Sequence, residues 1–154
     1  MFSLSALLAT APLLVLIVLS YGDLRNQTEL LYALPRWAHG LATVLILPVF
    51  PLLLAAYLPG AIRNATKHPM LVAVKLWALA HLLANGFLAD VVLFGSFLVW
   101  AVADRISLKR RTPRATPALP ESPWNDVIVV VGGLILYGAM LNFGHRLLIG
   151  VPLM

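Results

Sequence analysis

The chain has 154 residues, 61% of them hydrophobic and 11% charged, and carries 11 Lys and Arg against 6 Asp and Glu for a formal charge of +5. Soluble domains average about 45–50% apolar and about 25% charged residues, so a water-borne fold could not hide this much Leu, Val and Ala. There is no cysteine, which excludes disulfides, thiolate catalysis and Cys-ligated metal or iron–sulfur centres.

A helix that spans a bilayer needs about 20 mostly apolar residues, and the chain offers such runs in succession. The first is FSLSALLATAPLLVLIVLSY, residues 2–21, without a charge. No Lys or Arg precedes Arg25, so the run lacks the basic start of a cleaved signal peptide and is read as a retained span. A polar stretch, 22–36, contains Asp23, Arg25, Asn26, Gln27 and Glu29 and closes on Pro35. The second span runs over 37–58, where Pro48 and Pro51 predict a kink.

The loop 59–69 carries Arg63 and Lys67. The apolar run that follows is too long for one span, and Asn85-Gly86 is a turn signal in its middle. It divides into a helical hairpin, 70–85 and 88–103. Residues 104–123 read as a linker, with Arg105, Lys109, Arg110, Arg111, Arg114 and the prolines 113, 117, 120 and 123; such a composition cannot fold alone. Trp124-Asn125-Asp126 opens the last span, 125–143, with Asp126 favourable near its positive N-terminus. The expectation is one all-α domain over 1–154, a polytopic transmembrane bundle of about five spans, with the lipid bilayer as its main partner.

Basic residues in short loops set membrane orientation. With five spans, loops 59–69 and 104–123 share a side and hold Arg63, Lys67, Arg105, Lys109, Arg110, Arg111 and Arg114, against Arg25, Arg36 and Arg146 on the other. The N-terminus and the 104–123 loop are therefore expected in the cytoplasm. Basic charge spread among loops in this way argues against a nucleic-acid partner.

Polar groups inside a membrane are costly and each needs a reason. His81 lies within the third span, with Trp77 four residues before it and Asn85 four after, all on one helical face. It is open to two readings: an imidazole hydrogen-bonded to a neighbouring helix, or a ligand for iron or copper in a metal or haem site. The five-span topology puts His39, His81 and His145 toward the same outer face, an arrangement that suits a bis-imidazole haem pocket and that ordinary helix-end histidines also produce. Arg146 is a candidate for a haem propionate or an interfacial anchor, in a group with Asn142 and His145. His68 sits apart, before the third span. Lys75 is explained by snorkelling to the interface or as a buried counter-ion, and Asp104-Arg105 as an interfacial pair. No Walker loop, GxGxxG, GxSxG or HExxH motif is present, so nucleotide and conventional hydrolase chemistry lack support.

The run RNATKHPMLVAVKLWALAHLLANG, residues 63–86, resembles the signature of the NnrU family. So do FLADVVLFGSFLVWAVADRISLKRR after it, WNDVIVVVGGLILYG and the closing LIGVPL. The resemblance implies a polytopic protein of the bacterial inner membrane, linked to nitrite and nitric oxide reduction in denitrification. It also implies kinship with 15-cis-ζ-carotene isomerase, a haem b enzyme that isomerises a polyene double bond. From that kinship His81 is similar to an axial haem ligand, and His68, Pro69, Trp77 and Asn85 belong to the shared motif. Family members usually begin with a further span bearing a histidine, the other axial ligand of the isomerase; this chain starts at what resembles their second span, so His39 or His145 would have to replace it.

Two functions follow as expectations. One is a haem b protein ligated by His81, acting on nitrogen oxides or on a hydrophobic polyene by a redox-switched, isomerase-like reaction. The other is a non-catalytic membrane factor for assembly or maturation of nitrite or nitric oxide reductases. Small-molecule transport has less to build on, for want of an inverted repeat or a charged midplane site.

Overall fold

Prolines decide where one span breaks and where the next begins. The computed structural model describes residues 20, 21, 24, 25, 27, 29–110 and 118–149. The expected first span, 2–21, thus lies outside the described residues apart from Ser20 and Tyr21. Helices α1 (Arg36–Ile46) and α2 (Val49–Ala55) form one apolar stretch of 20 residues. It breaks at Leu47–Pro48, because Pro48 and Pro51 have no N–H to give to the helical ladder. The ladder resumes where Leu52 N–H donates to the Pro48 carbonyl at 3.0 Å.

A short helix α3 (Ala61–Thr66) occupies the expected loop. Its N-terminus is capped from far along the chain: Ala61 and Ile62 N–H donate to the Asp126 carboxylate at 2.8 and 3.1 Å. Asp126 therefore serves a neighbouring helix in addition to lying at the start of its own. A Cβ at residue 60 would sit 2.5 Å from Asp126 Oδ1, so this close approach needs Gly60. Pro69 then starts helix α4 (Pro69–Ala84) at the N1 position, where a missing N–H costs nothing.

Helix α4 has 16 residues, roughly 24 Å of length against the roughly 30 Å of a hydrocarbon core. The turn at its end must then satisfy its polar backbone within the protein. The stretch 29–35 does so. Leu31 and Tyr32 N–H donate to the Gly86 carbonyl at 2.8 and 3.3 Å, and Leu88 N–H donates to the Glu29 carbonyl at 3.0 Å. The Tyr32 hydroxyl donates to the carbonyls of Leu82 and Asn85 at 2.6 and 3.1 Å. A Cβ on Gly86 would fall 1.8 Å from the Tyr32 carbonyl oxygen, so the crossing admits glycine alone.

Helix α5 (Leu88–Lys109) completes the hairpin and runs past its expected end at Ala103. No helix breaker intervenes there, and Arg105 and Lys109 suit a helix C-terminus. Asp104 and Arg105 do not meet at salt-bridge distance; the ion pair among the described residues is Arg25–Asp90. Neighbours in sequence point to different faces of a helix. Beyond residues 111–117, which lie outside the described set, the linker is pinned by Leu119 N–H donating to the Tyr57 carbonyl at 2.9 Å.

Helix α6 (Asn125–Ala139) passes through a π-helical turn, Met140–Gly144, into α7 (His145–Ile149), beyond the expected end at Phe143. The widening coincides with Asn142 Nδ2 donating to the Gly138 carbonyl at 2.7 Å, a side chain entering the backbone ladder. Asn125 is buried and donates to the Pro59 and Pro120 carbonyls at 2.8 and 3.1 Å, anchoring the start of α6.

The architecture is an all-α transmembrane bundle. Helix α4 lies at its centre against α1, α2 and α5, and α6 packs on α2. Val49, Leu52 and Ala73 form the core, flanked by Leu76 and Trp77. At Gly133 a Cβ would meet Pro51 N at 2.4 Å, a backbone-to-backbone approach typical of helices packed in lipid. The stretches Arg36–Ala55, Leu88–Lys109 and Asn125–Leu147 are long and apolar enough to cross a membrane, and α4 is a shorter apolar helix.

Candidate functional site

Helix α4 delivers His81 into an aromatic cluster. His81 Nδ1 lies 2.9 Å from the Trp77 carbonyl oxygen, one turn earlier. A carbonyl only accepts, so Nδ1 carries the proton and Nε2 keeps its lone pair. The ring stacks on Phe94 of α5, centroids 4.4 Å apart and planes inclined by 30°. Trp77 lies 5.1 Å from both His81 and Phe94 and 5.4 Å from Phe97. Tyr21 meets Phe94 edge-on at 6.3 Å. These contacts hold the imidazole in one orientation with one tautomer, as ligating and base histidines require.

Beside it lies a polar network. The Asp90 carboxylate, in the first turn of α5, is fully buried. It accepts from the Tyr21 hydroxyl and from Phe87 N–H, the latter at 3.3 Å, while Arg25 Nε stands 4.0 Å away. Arg25 also donates to Asn85 Oδ1 at 3.3 Å, and its guanidinium sits 5.9 Å over the Phe87 ring. Asn85 in turn donates from Nδ2 to the His81 carbonyl at 3.2 Å. Trp77, His81 and Asn85, read as one face of a helix, are thus joined by hydrogen bonds. Phe94, Asp90, Arg25 and Tyr21 were not selected from sequence as site residues. An acid just inside an apolar run was the signal that could have marked Asp90.

The other candidates separate. His145 is partly buried, at the start of α7. Helix α6 is tied to α1 by the Tyr137 hydroxyl donating to the Thr43 carbonyl at 3.2 Å, about two turns before His145. His39 is exposed, its carbonyl accepting from Thr43 Oγ1 at 2.9 Å. Arg146 and Asn142 are exposed. His68 stands at the opposite end as the residue before α4, with Pro69 buried behind it. Burial holds its pKa below the ordinary histidine value, with Arg105, Lys67 and Lys75 acting in the same sense and Asp104 against them.

An apolar groove of about 680 Å³ runs along α5, lined by Tyr21, Leu24, Leu88, Val92, Phe97 and Trp100 among others. It shares Tyr21 and Phe97 with the aromatic cluster, but His81 is not in its wall. Among the described residues no three or more His, Asp or Glu side chains converge on a metal-sized point. Haem needs fewer protein donors, one or two axial groups, and the oriented His81 Nε2 fits one of those positions.

The family model described as NnrU protein matches residues 2–153. No curated protein and no solved structure matches the chain.

Proposed function

Because this chain belongs to the NnrU family, we propose that it is a haem b-binding membrane protein in which His81 is an axial ligand. Its role would lie in nitrogen-oxide metabolism or in a redox-switched reaction akin to that of carotene isomerase. The observation that carries the reading is the His81 Nδ1–H bond to the Trp77 carbonyl at 2.9 Å, which leaves Nε2 as the donor. Bound haem would supply a redox-active, Lewis-acidic iron.

The chain's own residues do the positioning. The Trp77 carbonyl fixes the tautomer and Phe94 fixes the ring plane. His145, partly buried, is the favoured second ligand; His39, being exposed, ranks behind it. Arg146 would pair with a propionate carboxylate. The apolar groove along α5 would admit an extended hydrophobic molecule such as a polyene. The positive-inside rule supports an orientation with loops 59–69 and 104–123 in the cytoplasm, and the family link supports a bacterial inner membrane.

The test is the haem content of the chain purified from haem-replete membranes, measured as the pyridine haemochrome. Haem b that co-purifies with the wild type and is lost from His81→Ala supports the reading. Folded protein without haem would turn it to the alternative, a non-catalytic factor for assembly or maturation of nitrite or nitric oxide reductase.

A further inference from the structure

Tyr21 stands where the apolar groove along α5 meets the buried polar network. Its side chain forms part of the groove wall near Leu88, and its hydroxyl reaches Asp90 behind that wall. The ring is braced edge-on against Phe94, with centroids 6.3 Å apart, so the hydroxyl is held at one spot. From Leu88 the wall continues along α5 past Val92 and Phe97 to Trp100, roughly 18 Å of helix. The volume of about 680 Å³ is that of a site for a small molecule.

The direction of the hydrogen bonds decides what such a molecule must bring. A hydroxyl has one hydrogen and two lone pairs. Asp90 is 0% exposed and both of its oxygens face donors: Oδ2 accepts from Phe87 N–H at 3.3 Å, and Oδ1 has Arg25 Nε 4.0 Å away. The carboxylate is thus the acceptor toward Tyr21, whose one hydrogen is committed to it. Tyr21 is left with oxygen lone pairs to offer the groove, and donating to a carboxylate makes that oxygen a better acceptor. Ser96, further along the wall, is in the same state, its Oγ donating to the Val92 carbonyl. A ketone or a carboxylate beside Tyr21 would set acceptor against acceptor, with the Asp90 charge behind. A hydroxyl would instead complete a chain in which the ligand donates to Tyr21 and Tyr21 to Asp90. We propose that the groove takes an extended isoprenoid that ends in a hydroxyl group, and that Tyr21 selects it by accepting that hydrogen. Resting on the same groove that the proposed function gives to an extended hydrophobic molecule, the assignment names the class of that molecule and holds without haem.

All-trans-retinol and its methyl ether share a fluorescent polyene, and the ether lacks the hydroxyl hydrogen. Each is titrated into the full chain, purified in neutral detergent held at fixed concentration, and binding is read from the rise in polyene fluorescence. The wild type should bind retinol about three- to tenfold more tightly than the ether, the worth of one hydrogen bond. Tyr21→Phe should abolish that difference, and Ser96→Ala should leave it in place. Val92→Trp, at a groove position that is 60% exposed, should fill the groove and weaken both ligands. A preference for retinol in protein that carries no haem would support this assignment while the haem reading fails; haem-bearing protein without the preference would do the reverse. Equal affinities of the wild type for the two ligands, a difference that survives Tyr21→Phe or is lost in Ser96→Ala, or binding untouched by Val92→Trp would overturn the proposal. If Tyr21→Phe does not fold, the wild-type comparison and Val92→Trp still decide it.

Discussion

His81 and Trp77 are joined within one turn of α4, the imidazole Nδ1 donating to the Trp77 carbonyl at 2.9 Å. That bond sets which nitrogen is available, and the stacked Phe94 ring sets where it points. The α4–α5 hairpin provides both, so the geometry of His81 depends on how the hairpin is held together. The hairpin turn in its turn depends on the crossing stretch 29–35 and on Asp90. Stability at this end of the bundle and the readiness of His81 are therefore one problem.

Phe94 touches Tyr21, Trp77 and His81 and is 5% exposed. Phe94→Ala should cost about 3 kcal/mol, the loss expected for a buried aromatic that leaves a cavity. Denaturant titration in detergent would measure it. A loss under about 1 kcal/mol would mean that the cluster does not brace His81.

Asp90 and Arg25 should not be equivalent. Asp90→Ala leaves a partly buried Tyr21 hydroxyl and the Phe87 N–H without their acceptor, at a cost of about 2–3 kcal/mol. The Arg25 side chain is 27% exposed and its contact with Asp90 is long at 4.0 Å, so Arg25→Gln should cost about 1 kcal/mol or less. The reverse order in a pair of melting curves would contradict this account of the network.

Glycines of one helix should split. At Gly133 a Cβ meets the Pro51 backbone and ring at 2.4–2.5 Å, whereas at Gly138 it meets nothing within 4 Å. Gly133→Val should cost about 1–3 kcal/mol by prising α6 from α2. Gly138→Ala should be neutral or gain about 0.5–1 kcal/mol from helix propensity. Equal effects in the same unfolding assay would refute the close α2–α6 contact.

His68 gives a pH signature to the lipid-free protein. Its folded-state pKa is held below the ordinary 6.5, first by burial and then by Arg105. The unfolded chain therefore takes up the proton first as pH falls. The stability tied to neutral His68 is fully present above about pH 7 and declines through 6.5 toward the lower folded value. The thermal midpoint should fall over this window, and less steeply in His68→Asn. A wild-type midpoint that rises relative to the variant as pH drops would have the wrong sign.

Local signals carried much of this fold. Pro48 and Pro51 marked the break in the second span and Asn85-Gly86 marked the hairpin, because prolines and turn residues act on their own backbone. The four-residue spacing of Trp77, His81 and Asn85 placed them on one face for the same reason. Contacts between distant segments were not legible. Nothing near Asp90 announces that Tyr21 and Arg25 would enclose it, and nothing near Asp126 announces that it caps α3. Two helices also extend beyond the apolar runs read as spans. Helix α5 runs on through Arg105 to Lys109 because a basic tail suits a helix C-terminus, and α6 continues past Phe143 through its π turn. His145 therefore lies within a helix.

The central claim rests on His81 Nε2, and the most direct measurement is the reduced-minus-oxidised absorption spectrum of the purified chain beside His81→Ala. The account predicts a Soret band with sharp α and β bands in the wild type, all lost in the variant. A featureless spectrum from well-folded wild-type protein purified from haem-replete membranes, or bands that survive His81→Ala unchanged, would contradict it.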